Sequence, residues 1–178
     1  MCPSRRHRAH RPGEANSQPG IEDVFLVPQR IYMVLGSLGD QVTYPVVLDS
    51  KARSDDDEAR MLSCLDMVGI SYLVEREGGW DTKKKWEDIL SLGEQQRMGM
   101  ARLFFHAPRF GILDECTSAV SVDVEERLYK GAAEKGITCI TISQRLALEE
   151  FHTQVAIAAP ATFICWPSSC VLLQQNMV

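Results

Sequence analysis

The chain has 178 residues, of which 45% are hydrophobic and 24% charged, with a formal net charge of -5. That length suits one domain with a real core, and the composition is ordinary for a soluble globular protein. The negative balance argues against nucleic acid as the main partner, because phosphate backbones are held by clustered Lys and Arg.

Residues 1–20 are polar, with Arg5, Arg6, Arg8 and Arg11 unbalanced until Glu14. They hold no apolar run of the signal-peptide kind and read as a disordered leader. Val24 to Val27 is a short apolar run stopped by Pro28, as in a buried strand that leads into a loop. Gln29 follows directly; by itself it is an ordinary loop glutamine. Asp40 to Asp57 reads as loop, broken by Pro45 and by the acids Asp55, Asp56 and Asp57. These acids suit the positive end of a helix that begins at Glu58, carries Met61, Leu62, Leu65 and Val68 at helical spacing, and stops at Gly69. Glu77 to Gly79 is a turn, and Lys83 to Lys85 a solvated charge run.

The best-defined helix starts at Ser91, where Ser91-x-x-Glu94 is a capping box. Met100, Leu103 and Phe104 form its apolar stripe, and Pro108 closes it. Phe110 to Leu113 is apolar on both faces, as expected for a central parallel strand. Val122 to Lys135 is a helix, Ile137 to Ile142 a second continuous apolar strand, and Leu146 to Phe151 a short helix. His106 and His152 read as satisfied or solvated histidines, since no partner shares their spacing. The cysteines (Cys2, Cys64, Cys116, Cys139, Cys165, Cys170) contain no C-x-x-C pair and suit a reducing compartment. Thr153 to Val178 carries no charged side chain. Its apolar stretch from Val155 to Leu173 approaches the length of a membrane span, but Pro160, Pro167 and Ser168-Ser169 interrupt it, so a poorly specified tail is expected. Strands alternating with helices give an α/β layered fold.

Asp114 and Glu115 are the chemical centre. Ligands in open α/β sheets sit beyond the carboxyl ends of the strands, where these two carboxylates project. One can hold Mg²⁺, a hard cation that prefers oxygen. The other can orient and polarise a water for phosphoryl transfer. At Ser91 to Glu94, a helix N-terminus presents unpaired N–H groups to an anion, Gly93 keeps the approach clear, and the Ser91 hydroxyl can donate to a phosphate oxygen.

The strings Phe25-Leu-Val-Pro-Gln-Arg30, Gly36-Ser-Leu-Gly-Asp-Gln-Val-Thr-Tyr-Pro45, Leu90-Ser-Leu-Gly-Glu-Gln-Gln-Arg97, Phe110-Gly-Ile-Leu-Asp-Glu-Cys-Thr-Ser-Ala119 and Arg145-Leu-Ala-Leu-Glu-Glu-Phe-His152 together resemble the nucleotide-binding domain of ABC transporters. Within that family the resemblance is to subfamily D, the peroxisomal fatty-acyl or adrenoleukodystrophy-protein group. It implies a partial ABC-type domain of the RecA-like, P-loop NTPase class over residues 22–155, with a helical signature subdomain, parallel central strands and a divergent tail over 156–178. It implies ATP and Mg²⁺ as cofactors. Gln29 becomes the Q-loop glutamine that senses Mg²⁺ and couples to membrane helices. Ser91, Gly93 and Glu94 become the signature, Asp114 the Mg²⁺ ligand, Glu115 the general base, and Ser118 to Ser121 the D-loop. The implied partners are a second nucleotide-binding domain in a head-to-tail dimer and a transmembrane domain. The implied place is the cytosolic face of the peroxisomal membrane, or the cytosol for the isolated chain.

The sequence departs from the family in three ways. No G-x-x-x-x-G-K-[ST] phosphate loop occurs before Gln29, so the chain is expected to be truncated before the Q-loop and inactive alone, or to lend a signature helix to an intact cassette. Gln144 stands at the place of the switch histidine. The tail does not continue as the family's Asp-Gly-Glu-Gly turn. Without the first strands of such a domain, Phe110–Leu113 and Ile137–Ile142 are expected to lose partners and leave exposed edges.

Overall fold

A computed structural model describes residues 18–157 and 170–173. The expected leader, but for its last three residues, and most of the divergent tail lie outside the described residues. In chain order the elements are β1 (Val24–Val27), β2 (Gly36–Ser37), α1 (Leu38–Thr43), α2 (Asp55–Met67), α3 (Leu73–Glu77), β3 (Lys83–Lys84), α4 (Trp86–Ile89) and α5 (Leu92–His106). They continue with β4 (Phe110–Asp114), α6 (Val122–Glu134), β5 (Thr138–Ser143), a 3₁₀ helix (Leu146–Phe151), β6 (Gln154–Ile157) and β7 (Cys170–Leu173).

The main sheet runs β1-β4-β5-β7-β6. Its first three strands are parallel, with Val27 beside Leu113 and Asp114 beside Ile142. β7 runs antiparallel to both β5 and β6. The expectation of exposed edges on the two apolar strands is therefore corrected: β4 and β5 are paired on both sides, and the edges fall on β1 and β6. The tail likewise contributes strand pairing through residues 170–173. Among the described residues no helix is long and apolar enough to cross a membrane.

Helix α5 is the spine. Met98, Met100, Ala101, Leu103 and Phe104 are buried along it, and it packs on α1, α2 and β1. Two glycines permit the closest approaches. A Cβ on Gly111 of β4 would stand 3.0 Å from Leu103, and one on Gly99 would stand 2.5 Å from Ile31. The helix ends at Ala107, whose φ of 44° is left-handed, one residue before Pro108.

The stretch expected to be loop from Asp40 onward instead opens inside α1. Ser37 accepts the Asp40 N–H while Asp40 reaches back to the Ser37 N–H, and Leu38 and Val42 are buried beneath. The helix ends at Thr43, before the breaker at Pro45, and Asp40 is its one residue that is not buried. Helix α2 begins at Asp55 rather than Glu58, because Ser54 and Asp57 form another capping box. Gly69 follows it at φ 71°, as expected of a C-terminal glycine. Lys83 and Lys84 are more than a solvated run: they pair with Ser37 and Gly36, and Lys84 Nζ reaches the buried carboxylate of Glu77 at 2.7 Å.

Candidate functional site

The carboxyl ends of β1, β4 and β5 lie side by side, and each delivers a predicted residue to the same rim. β1 ends at Val27 opposite Leu113, so Gln29 leaves the sheet beside Asp114 and Glu115. β5 ends at Ser143, which puts Gln144 on their other side. Gln29 and Gln144 are exposed; Asp114 and Glu115 are partly covered. The Asp114 carboxylate has no hydrogen bond or ion pair among the described residues, which leaves its oxygens open to a cation. No cluster of three or more potential metal ligands occurs among them either.

Glu115 stands at the turn off the strand with φ 47°, a left-handed conformation that is uncommon for a side chain of this size. Three contacts hold it there. Its N–H donates to Ile142 O at 3.0 Å, its carbonyl accepts the Ser118 N–H at 3.4 Å, and its Oε1 accepts the Gln144 N–H at 3.0 Å. The structure thus brings Glu115 and Gln144 together through the backbone of Gln144.

At the other corner, Ser91 caps α5 as expected. The N–H groups of Leu92 and Gly93 have no carbonyl within the helix to receive them, so they remain available to an anion. The Ser91 hydroxyl donates to Glu94 Oε2 at 2.8 Å. Glu94 is buried and also accepts Ser91 N at 2.8 Å, Tyr72 OH at 2.8 Å and Arg76 at 2.6 Å. Burial opposes its charge, but these hydrogen bonds outweigh it and bring the carboxyl down to about 2.

The two corners are joined by Gln96, which no sequence motif marks. Its amide donates to Ser118 Oγ at 2.9 Å and accepts the Ala119 N–H at 2.7 Å, and a Cβ on Gly93 would meet Ala119 O at 3.0 Å. The segment after Glu115 therefore rests on the signature helix of the same chain. Also unanticipated is Arg102, only 4% exposed. It donates to Gln41 O at 2.6 Å and Tyr32 O at 2.8 Å, while one terminal nitrogen has no partner among the described residues. Burial draws its pKa down to about 10. It lines a cavity of about 220 Å³ with Val27, Pro28, Tyr32 and Tyr44, beside the Gln29 loop. His106 and His152 are satisfied, as expected. His106 Nε2 lies 2.9 Å from Thr43 O, and His152 Nε2 lies 2.8 Å from Thr141 Oγ1.

No family model matches the chain. A bacterial Atm1-family ABC exporter, solved with ATP bound, is similar in structure with a TM-score of 0.60 and 23% identity, over 72% of this chain and 22% of that one. The chain thus shares the fold of the matched segment of that exporter. The chain is 50% identical over 149 residues to ABC transporter D family member 1 of Arabidopsis thaliana, over 73% of this chain and 11% of that protein. It is 49% identical over 136 residues to ATP-binding cassette sub-family D member 3 of Homo sapiens, over 76% of this chain and 21% of that protein. These relatives are ABC transporters of subfamily D, and the chain spans less than a quarter of the length of either.

Proposed function

We propose that the chain supplies the signature helix and the hydrolytic strand end of a composite ATP site in a subfamily D transporter. The observation that carries this reading is the rim itself. One end of the sheet presents an open Asp114 carboxylate, a Glu115 carboxylate held toward Gln144, and Gln29 alongside, with the capped signature helix tied to them by Gln96. Glu115 accepts the proton of an attacking water. Asp114 and Gln29 offer oxygen to Mg²⁺, which when bound neutralises charge on the phosphates. Gln144 reaches toward the terminal phosphate from the opposite side. The N–H groups of Leu92 and Gly93, with Ser91, face the nucleotide held by a second cassette; Glu94 keeps their cap in place.

The transmembrane partner seats beside the Gln29 loop, where Leu26 and Tyr32 are exposed next to the cavity. By likeness to subfamily D, the cargo is a long-chain fatty acid or acyl-CoA and the location the cytosolic face of the peroxisomal membrane. Residues 22–155 form the cassette segment. A second reading is a module that lends only its signature helix to a cassette that carries the G-x-x-x-x-G-K-[ST] phosphate loop.

The test supplies that loop. Residues 22–152 are placed behind an intact phosphate-loop segment from a related cassette, and MgATP hydrolysis is measured. Glu115→Gln is expected to abolish turnover and preserve binding, since an amide cannot take the proton. Ser91→Arg is expected to block dimer closure. Hydrolysis by Glu115→Gln at the parent rate removes Glu115 from the role of base, and hydrolysis in no version leaves the helix-lending module as the function.

A further inference from the structure

We infer that Arg145 is a positioning residue for Glu115, acting through the backbone of its neighbour Gln144. The pairing of β4 with β5 does not stop where the strands end. Beyond Asp114, Glu115 N donates to Ile142 O, Gln144 N donates to the Glu115 carboxylate, and Arg145 donates to Thr117 O at 3.4 Å. The same Arg145 nitrogen donates to Glu125 Oε1 at 2.8 Å, and the Thr117 hydroxyl donates to that same oxygen. Glu125 comes from the first turn of α6 and its side chain is 1% exposed. It therefore forms a fixed post to which both the turn after Glu115 and the segment after β5 are tethered.

Without the post, neither Gln144 nor Glu115 is held in place by its own element. Gln144 is exposed and follows the last residue of β5, so no ladder bond holds its peptide. Glu115 carries a left-handed φ that its own side chain disfavours, so its orientation depends on outside contacts. The ion pair supplies the missing constraint. A buried carboxylate with a charge-assisted bond to a guanidinium resists displacement, because separating them leaves an unpaired charge in the interior. A local bond also helps: Arg145 N donates to Ser143 Oγ at 3.1 Å, which bends the chain so that the Gln144 N–H faces Glu115. Arg145 does not reach the rim itself. It sets the distance between the amide of Gln144 and the carboxylate that the proposed function uses as base.

This inference rests on that reading for its importance but not for its test, which uses the full chain and reads position instead of hydrolysis. Amide hydrogen exchange is followed by NMR in the parent, Arg145→Ala, Arg145→Lys and Glu115→Gln chains. In Arg145→Ala, exchange at Gln144 is expected to rise by about ten-fold, the effect of losing a charge-assisted bond. Exchange at Ile140 and Thr141, inside β5, should stay as in the parent. Arg145→Lys, which keeps the pair with Glu125, should restore most of the protection. The Gln144 amide resonance should shift in Glu115→Gln, and Arg145→Ala should move it the same way. Unchanged exchange at Gln144 in Arg145→Ala overturns the inference. So does an equal rise throughout β5, which would make Arg145 a support of the fold and nothing more. If Glu115→Gln proves fully active in the grafted cassette, the base assignment falls while the amide result stands.

Discussion

At Glu94 four donors converge on one buried carboxylate: Ser91 N–H, the Ser91 hydroxyl, the Tyr72 hydroxyl and Arg76. The unfolded chain takes up this proton at the ordinary carboxyl value of 4.5, whereas the folded chain takes it up only at about 2. The stability contributed by the charge is thus complete above 4.5 and is lost as pH falls from there toward 2. Glu94→Gln should lower the stability at neutral pH by about 1–3 kcal/mol, since one amide oxygen cannot receive four donors and its NH₂ faces some of them. It should also flatten the dependence of stability on pH below 4.5. Urea melts of both chains at neutral and acid pH measure the two effects; parallel acid limbs would show that Glu94 is not the titrating group. The capping box was plain in the sequence because its two members are three residues apart. Tyr72 and Arg76 were not, because they arrive from α3 and nothing in their local pattern points to α5.

Among the elements, those with long periodic patterns were legible and the short ones were not. Helices α2, α5 and α6 and strands β1, β4 and β5 stand close to where the pattern puts them, since each buries a face long enough to register. Helix α1 has six residues, too few for a periodic signal, though Ser37-x-x-Asp40 marks its start. β3 has two residues, and β7 belongs to a stretch whose breakers spoke against order. The site divides in the same way. Its strand ends and signature are contiguous strings, whereas the Gln96 link and the Arg145–Glu125–Thr117 tether join ordinary residues distant in sequence. Two substitutions test the packing that unites the elements. Gly99→Ala would place a methyl 2.5 Å from Ile31 and 3.1 Å from Val27, forcing α5 off β1, and should cost about 1–3 kcal/mol. Ser37→Ala should cost about 1 kcal/mol by uncapping α1. Thermal melts rank them; Gly99→Ala melting at the parent temperature would mean that Ile31 swings aside freely.

For the molecule as a whole, two features set its behaviour: where the sheet ends, and how much of a nucleotide site it holds. β7 covers the outer edge of β5 and is the partner of β6. A chain ending at Ile157 would leave both with unpaired backbone groups, and exposed strand edges recruit other chains. It should elute as oligomers on size exclusion where the full chain does not; an unchanged elution would show the edge to be covered by other means. Nucleotide affinity depends on hydrogen-bond donors. A phosphate loop brings several backbone N–H groups and a lysine to the phosphates, whereas this chain offers the Leu92 and Gly93 N–H groups at one corner and carboxylates at the other. Carboxylates repel phosphate unless Mg²⁺ lies between them, so neither corner alone can hold a triphosphate tightly. The isolated chain should therefore show no saturable MgATP binding below millimolar concentration in calorimetry. Mixed with an intact subfamily D cassette, it should associate only when MgATP is present, and Ser91→Arg should abolish that association. A micromolar dissociation constant for the chain alone would mean that its 178 residues build a phosphate site by some means other than the loop.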